Sequence, residues 1–227
     1  LGALKPFEET MIDLHTHTLF SDGELTPSEL IRRAQCAGLR ALGITDHADM
    51  ANFEWILPRI LRACAENEQA RGFRCVPGIE LTHVPPSLVA RYVAEARSLG
   101  AQLVIVHGES PVEPVDPGTN RAAIEAGADI VSHPGLISEE DARLASERGV
   151  HLEITARKGH SLTNGHVAAM ARRTGAPLVL NTDAHAPGDL ISEPFARVVA
   201  LGAGLTEAEY AALRRNMARL AGVEEAA

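Results

Sequence analysis

Seven short apolar runs recur along the chain, separated by longer segments of helical period, and this alternation constrains the fold more than any other feature. The runs are Met11–His15, Ala41–Thr45, Phe73–Glu80, Leu103–His107, Asp129–His133, Val150–Thr155 and Leu178–Thr182. Between them lie Pro27–Ala37, Trp55–Arg71, Pro85–Leu99, Asn120–Ala126, Ser138–Arg148 and Gly165–Thr174, rich in Ala, Leu, Glu and Arg. Strands alternating with helices predict an α/β protein with a parallel sheet and helices outside. Thr26 before Pro27, with Glu29 three residues on, reads as a capping box, and Ser138 before Glu139 and Glu140 reads the same way. Gly38, Gly100, Gly127, Gly149 and Gly175 mark helix ends. The tail from Ser192 reads as one or two helices, with Tyr210, Leu213, Met217 and Leu220 forming a core-packing stripe.

Six of the apolar runs end in, or are followed within two residues by, a metal-binding type of residue: His15, His47, Glu80, His107, His133 and Asp183. In parallel α/β folds the strand C-termini open on one face, so these residues are expected on a single rim, best converged by a closed barrel of about seven strands. His17, Asp22 and His185 bring the set to nine. Imidazole and carboxylate without partnering cysteines suit Zn, Mn or Fe. Nine ligands are too many for one ion, so a centre of two or three divalent ions is expected, and with it hydrolysis.

Asp13, His15 and His17 alternate along one extended face. Asp22, in Ser-Asp-Gly, can reach back from a tight turn if Gly23 adopts unusual backbone angles. Glu80, ending its strand, is placed to bridge two cations. Taken singly, His107 and His133 would pass as core histidines; at equivalent points of the strand repeat they read as ligands. Asp13 and Asp46 are expected to orient imidazoles through the other ring nitrogen.

Length allows one large domain or two small ones at 227 residues. No linker divides the chain, so residues 11–227 are read as one domain, after a short native arm or non-native remnant at 1–10. The formal charge of −9 disfavours long nucleic acids as partners but does not exclude a phosphate-bearing substrate, since bound divalent cations would invert the local field. No apolar run approaches a membrane span, and the first residues do not read as a signal peptide. Cys36, Cys64 and Cys75, without CxxC spacing, read as free thiols of a reducing cytoplasm.

Cations placed just after strands are candidates for meeting an anionic group of the substrate: Arg121 in Gly-Thr-Asn-Arg, then Arg157 and Lys158. His160, rather than His166, is a candidate to protonate a leaving group or touch the substrate. His83 and His151 are given structural roles. Phe53 and Trp55, just past Asp46–His47, read first as helix packing and second as the wall of a small apolar pocket.

The order of these motifs resembles the polymerase-and-histidinol-phosphatase (PHP) family of metal-dependent phosphoesterases. The match runs from His15 to His185 through His-Thr-His-Thr, Ser-Asp-Gly, Ile-Thr-Asp-His and Thr-Asp-Ala-His. The resemblance implies a distorted (β/α)7 barrel and a trinuclear site. His15, His17, Glu80 and Asp183 would hold one ion, and Glu80, His107 and His133 a second. Asp22, His47 and His185 would hold the third. No ligand is missing, so a degenerate, non-catalytic regulatory domain is the weaker alternative. Metal-activated hydroxide would attack phosphorus, with Asp183, His185, Arg157 and His160 as catalytic candidates. Compact members of the family suggest histidinol phosphate or a similar small phosphate monoester as substrate, with phosphodiester hydrolysis on nucleotides or oligonucleotide ends as the alternative.

Overall fold

β-branched and leucine side chains dominate the strand segments, and in the computed structural model, which describes residues 11–223, they form one parallel sheet. The expected arm at residues 1–10 lies outside the described residues. The strands are β1 (Met11–Asp13), β2 (Leu39–Ile44), β3 (His47–Ala48), β4 (Arg74–Leu81), β5 (Leu103–His107), β6 (Ile130–Ser132), β7 (His151–Thr155) and β8 (Leu178–Asn181). They pair in the order β1-β2-β4-β5-β6-β7-β8, with β3 an extra two-residue strand beside β4. Nothing in the residue pattern announces β3, which is too short to carry a periodic signal.

Backbone and side-chain bonds bring β8 back to β1. Thr16 bridges Ala184, His17 N donates to Ala184 O at 2.8 Å, and Leu14 N donates to Asn181 Oδ1 at 2.8 Å. Asp13 accepts hydrogen bonds from the backbone N and the hydroxyl of Thr182. The sheet is thereby a nearly closed, distorted (β/α)7 barrel.

The helices are α1 (Pro27–Cys36), α2 (Phe53–Arg71), α3 (Pro86–Ser98), α4 (Thr119–Glu125), α5 (Glu139–Arg148), α6 (Asn164–Thr174), α7 (Glu193–Gly202) and α8 (Glu207–Ala221). Each buries one stripe, as α1 does with Leu30, Ile31 and Ala34. Burial of each such Leu or Ile contributes roughly 1.5–3 kcal/mol.

The two expected capping boxes fare differently. Ser138 Oγ accepts from Asp141 N at 3.0 Å, but the Thr26 side chain makes no cap bond. Glu29 turns instead to Arg33, 2.9 Å away, and Pro27 already supplies the helical φ at the first turn. A complete box, Thr206 with Glu209, starts α8.

In α8, Tyr210, Leu213 and Met217 are buried and Leu220 packs partly against the core. Asn216 Nδ2 donates to Leu178 O at 2.9 Å and Arg74 Nε to Ala221 O at 2.7 Å, which lays α8 against the first residues of β4 and β8. The strand C-termini face the other way.

Candidate metal centre

Register lines the polar residues up at one level of the barrel. Glu80 lies opposite His47 on one side and Ile105 on the other, and His107 lies opposite Ser132. Two carboxylates sit at the middle of the cluster. Asp183 Oδ1 is 3.1 Å from His17 Nε2 and 3.6 Å from His15 Nε2, while Oδ2 is 3.7 Å from His133 Nε2. Glu80 Oε1 is 3.2 Å from His15 Nε2 and 4.0 Å from His133 Nε2, and its Oε2 is 2.7 Å from His47 Nδ1. Each carboxylate therefore touches at least three imidazoles.

On the more open side, Asp22 Oδ1 is 3.2 Å from His185 Nε2 and 3.6 Å from His47 Nε2. The His17 ring lies between, its centroid 4.1 Å from that of His47 and 4.2 Å from that of His185. His17, Asp22, His47 and His185 each offer an atom within 4.8 Å of the others. On the far side His107, His133 and His160 form a second such group, and His15, His17 and Asp183 a third. All nine residues expected as ligands thus meet in one continuous cluster, joined by His160.

The donor set fits cations on several physical grounds. His15 Nε2, both nitrogens of His17, His133 Nδ1 and Asp183 Oδ1 are buried with no hydrogen-bond partner. An unsatisfied buried polar atom costs about 1–3 kcal/mol, so five in one place require a compensating ligand. Backbone carbonyls fix two tautomers: His107 Nδ1 donates to Gly108 O at 3.0 Å and His185 Nδ1 to Asp183 O at 2.9 Å. With the proton held there, each Nε2 keeps its lone pair for a cation. His133 and Asp183 also hold φ values of 27° and 54°. Non-glycine residues adopt this left-handed region only against a cost of order 1–3 kcal/mol, which here re-aims two side chains inward.

Charge follows the same pattern. Burial and the nearby His47 hold His17 neutral, down to about 3. Burial opposes ionisation of Asp22, yet the adjacent His185 and His47 imidazoles bring it down to about 2. His15 is pushed well above the ordinary histidine range because Glu80, Glu153 and Asp183 together outweigh its burial. Positive charge is wanted where those three acids meet.

Glu153 was not foreseen as part of the site. It is fully buried, with Oε1 2.9 Å from His15 Nδ1 and accepting from Asn181 Nδ2 at 2.8 Å, while Oε2 accepts from His133 N at 3.0 Å. The orienting role expected of Asp13 and Asp46 belongs to it. Asp13 instead ties the β1–β8 seam through Thr182, and burial raises its pKa to about 6. Asp46 accepts from Thr18 N at 2.7 Å and Ser21 Oγ at 2.8 Å, and so shapes the loop that presents Asp22. In that loop Gly23 has an ordinary φ; its need is space, since a Cβ there would lie 2.4 Å from His17 O.

The remaining candidates divide. Arg121 does not join the cluster: it is 44% exposed and its guanidinium is shared by Glu125, Glu140 and Asp141 on the outer surface between α4 and α5. Placement after a strand could not reveal those three acids. Arg157 stands at the edge, its Nη1 donating to Asp183 O at 3.3 Å and to Asp189 Oδ2 at 3.1 Å. Lys158 is exposed. His166 Nε2 faces Ile137 O at 2.8 Å and His151 Nδ1 faces Asp129 O at 3.0 Å, both structural. His83, expected to be structural, reaches the rim, with Nε2 3.4 Å from Glu113.

Phe53 is core, but Trp55 is 49% exposed, edge-on to Phe20 with Arg59 over its ring. Glu113, in the loop between β5 and α4, was missed because nothing local distinguishes it from a surface acid. It lies 3.1 Å from His107 Nε2 and 3.3 Å from His160 Nε2, and these imidazoles, His107 foremost, outweigh its burial and bring it to about 2.

Comparison with known proteins agrees with this arrangement. The PHP domain model matches residues 13–114. An uncharacterised protein of Methanocaldococcus jannaschii is 47% identical over 199 residues, covering 87% of this chain and 91% of that one. A probable phosphatase of Shewanella sp. strain ANA-3 is 31% identical over 205 residues, covering 77% and 76%. Among solved structures, the metal-dependent tyrosine phosphatases YwqE of Bacillus subtilis and CpsB of Streptococcus pneumoniae share the fold, with a TM-score of 0.58, 16% identity and coverage of 95% and 96%. Fold, clustered donors and relatives define a metal-dependent phosphoesterase. The chain belongs to the PHP-domain family. Among its described residues no helix is long and apolar enough to cross a membrane.

Proposed function

We propose that this phosphoesterase hydrolyses small phosphate monoesters, with histidinol phosphate or a comparable amino-alcohol phosphate as the substrate type. The observation that carries the reading is the set of five buried nitrogen and oxygen atoms at the strand ends without a hydrogen-bond partner, a donor set suited to cations. His15, His17, Glu80 and Asp183 would hold one ion, Glu80, His107 and His133 a second, and Asp22, His47 and His185 a third. Bound divalent ions supply Lewis acidity toward water and toward phosphoryl oxygens.

The chain's own residues do the rest. Glu153 and the carbonyls of Gly108 and Asp183 fix ring orientation at His15, His107 and His185. Ser132 Oγ donates to Glu80 Oε1 at 2.6 Å and steadies the carboxylate that would serve two of the ions. Arg157, 31% exposed beside Asp183, is the cation best placed to neutralise a phosphoryl oxygen. The small-substrate reading is supported by the net charge of −9, which opposes a polyanion.

Phosphodiester hydrolysis on nucleotides is the second reading, favoured by one feature. Exposed Trp55 stands edge-on to the partly buried Phe20, in the segments that carry His47 and Asp22, with Arg59 4.3 Å above the indole. Such a ring suits base stacking. Mn- or Zn-loaded protein assayed on a matched panel of monoesters and diesters decides between the two. Preferential release of inorganic phosphate from monoesters supports the first. Failure to cleave any phosphate ester, with metal loading verified, would sink both.

A further inference from the structure

We propose that Glu113 and His160 complete the coordination of the cation held at Glu80, His107 and His133, giving a site of three imidazoles and two carboxylates. The added carboxylate is delivered by the loop between β5 and α4. This inference rests on the metal-dependent reading above and adds two ligands to it.

Spacing is the first argument. Glu113 Oε2 is 3.1 Å from His107 Nε2, and Oε1 is 3.3 Å from His160 Nε2. Ligand atoms about 2.0–2.2 Å from a common ion of four to five ligands stand roughly 2.8–3.6 Å from their neighbours. His107, His133 and His160 each offer an atom within 4.8 Å of the other two.

Orientation is the second. His107 Nδ1 is taken by Gly108 O, and His160 Nδ1 lies 2.6 Å from Ser110 Oγ. Both rings therefore use Nδ1 outward and turn Nε2 to the same carboxylate, the arrangement that outer hydrogen bonds impose on ligating imidazoles. His160 is only 6% exposed and stacks on His133 with centroids 4.0 Å apart. His133 Nδ1 is buried without a hydrogen-bond partner in the same neighbourhood.

The loop that carries Glu113 is anchored at both ends. At its start Glu109 Oε1 accepts from Gly118 N and Asn120 N, both at 3.0 Å, and Glu109 N donates to Asn120 Oδ1 at 3.1 Å. Asn120 Nδ2 also donates to Pro134 O at 2.8 Å, tying the loop to the segment after His133. Gly135 permits that approach: a Cβ on it would lie 1.9 Å from Glu109 O, and its φ is 63°. One consequence changes the expectation for His160. A nitrogen that holds a cation has no proton to give a leaving group.

The competing account is that Glu113 merely balances charge near imidazoles, and the variants separate the two. Full-length protein is stripped with chelator and titrated with Zn or Mn by calorimetry, with metal per chain counted by elemental analysis. Glu113→Gln and His160→Asn should each weaken one class of site by at least tenfold and leave the other sites filled. Glu113→Asp keeps the charge but shortens the reach, so it should weaken the same site. In the Co(II)-loaded protein the visible absorption should change with Glu113→Gln. Metal addition should slow amide exchange across residues 110–116 in the wild type and not in that variant.

Wild-type affinity and an unchanged Co(II) spectrum in Glu113→Gln would overturn the proposal. So would full affinity in Glu113→Asp. If His160→Asn does not fold, Glu113→Gln, with its change on a part-exposed loop, still decides. Wild-type protein that binds cations and cleaves esters while Glu113→Gln binds equally well removes this inference alone. Wild-type protein that binds no cation removes the functional reading with it.

Discussion

The Glu153 carboxylate lies 2.9 Å from Nδ1 of His15 and, through its other oxygen, accepts from the backbone N of His133. One buried acid on β7 thereby sets the aim of a ring on the β1 side and the backbone of a segment after β6. Glu153→Gln should reduce metal affinity ten- to a hundredfold, because the outer hydrogen bond governs ring orientation and basicity. Chelator competition on the purified variant measures it. Affinity equal to wild type would show that His15 is oriented by packing alone.

Arg157 and Arg121 make a matched pair of opposite expectation. Arg157→Ala should lower kcat/KM for a phosphate monoester by ten- to a hundredfold, the equivalent of about 1.5–3 kcal/mol for a hydrogen bond to a charged group. Arg121→Ala should stay within about twofold, since its guanidinium is already shared among Glu125, Glu140 and Asp141. Steady-state kinetics on the two variants provide the check. Equal losses would place Arg121 back in the site.

Removing the ions should destabilise the fold as well as abolish turnover. At a metal concentration a hundredfold above Kd, each independently bound ion adds about 2.7 kcal/mol of apparent stability. A chelator-treated sample should therefore melt at a lower temperature, and stoichiometric Zn or Mn should restore it. An unchanged melting temperature across that cycle would mean that binding is not coupled to folding.

Away from the centre, the Tyr210 hydroxyl donates to Glu193 Oε1 at 2.9 Å. Burial, and then the nearby Glu193, push its pKa above the ordinary tyrosine value of 10.0. The folded state thus keeps the phenolic proton more tightly than the unfolded chain. The stabilisation is present in full below about pH 10 and is lost as pH rises beyond it toward the raised folded value. Denaturant titrations at pH 8 and above pH 10 should show this fall, and Tyr210→Phe should flatten it while costing about 1 kcal/mol at pH 8.

Much of the barrel was legible in the chain because its signals are local. Strands such as Leu103–His107 and helices such as Pro27–Cys36 carry their own periodicity. A residue that ends an apolar run, as His107 and His133 do, is delivered to the strand C-terminus by that run alone. Gly149 and Gly175 announced helix ends that sit in the left-handed conformation. These are properties of a few consecutive residues.

Other features depended on neighbours remote in sequence. Glu113 looks like any loop acid until the β5–α4 loop folds back beside His107 and His160. Glu153 became the acid that orients His15 only when β7 and the β1 segment, 138 residues apart, were brought together. Arg121 lost its expected role to acids of α5, a pairing invisible from the residues around it. The sequence by itself determined which element each donor terminates, because backbone preference and hydrophobic period act over a few residues. Only the tertiary structure decided which side chains share a hydrogen bond or a charge, since those interactions act over a few ångströms regardless of distance along the chain.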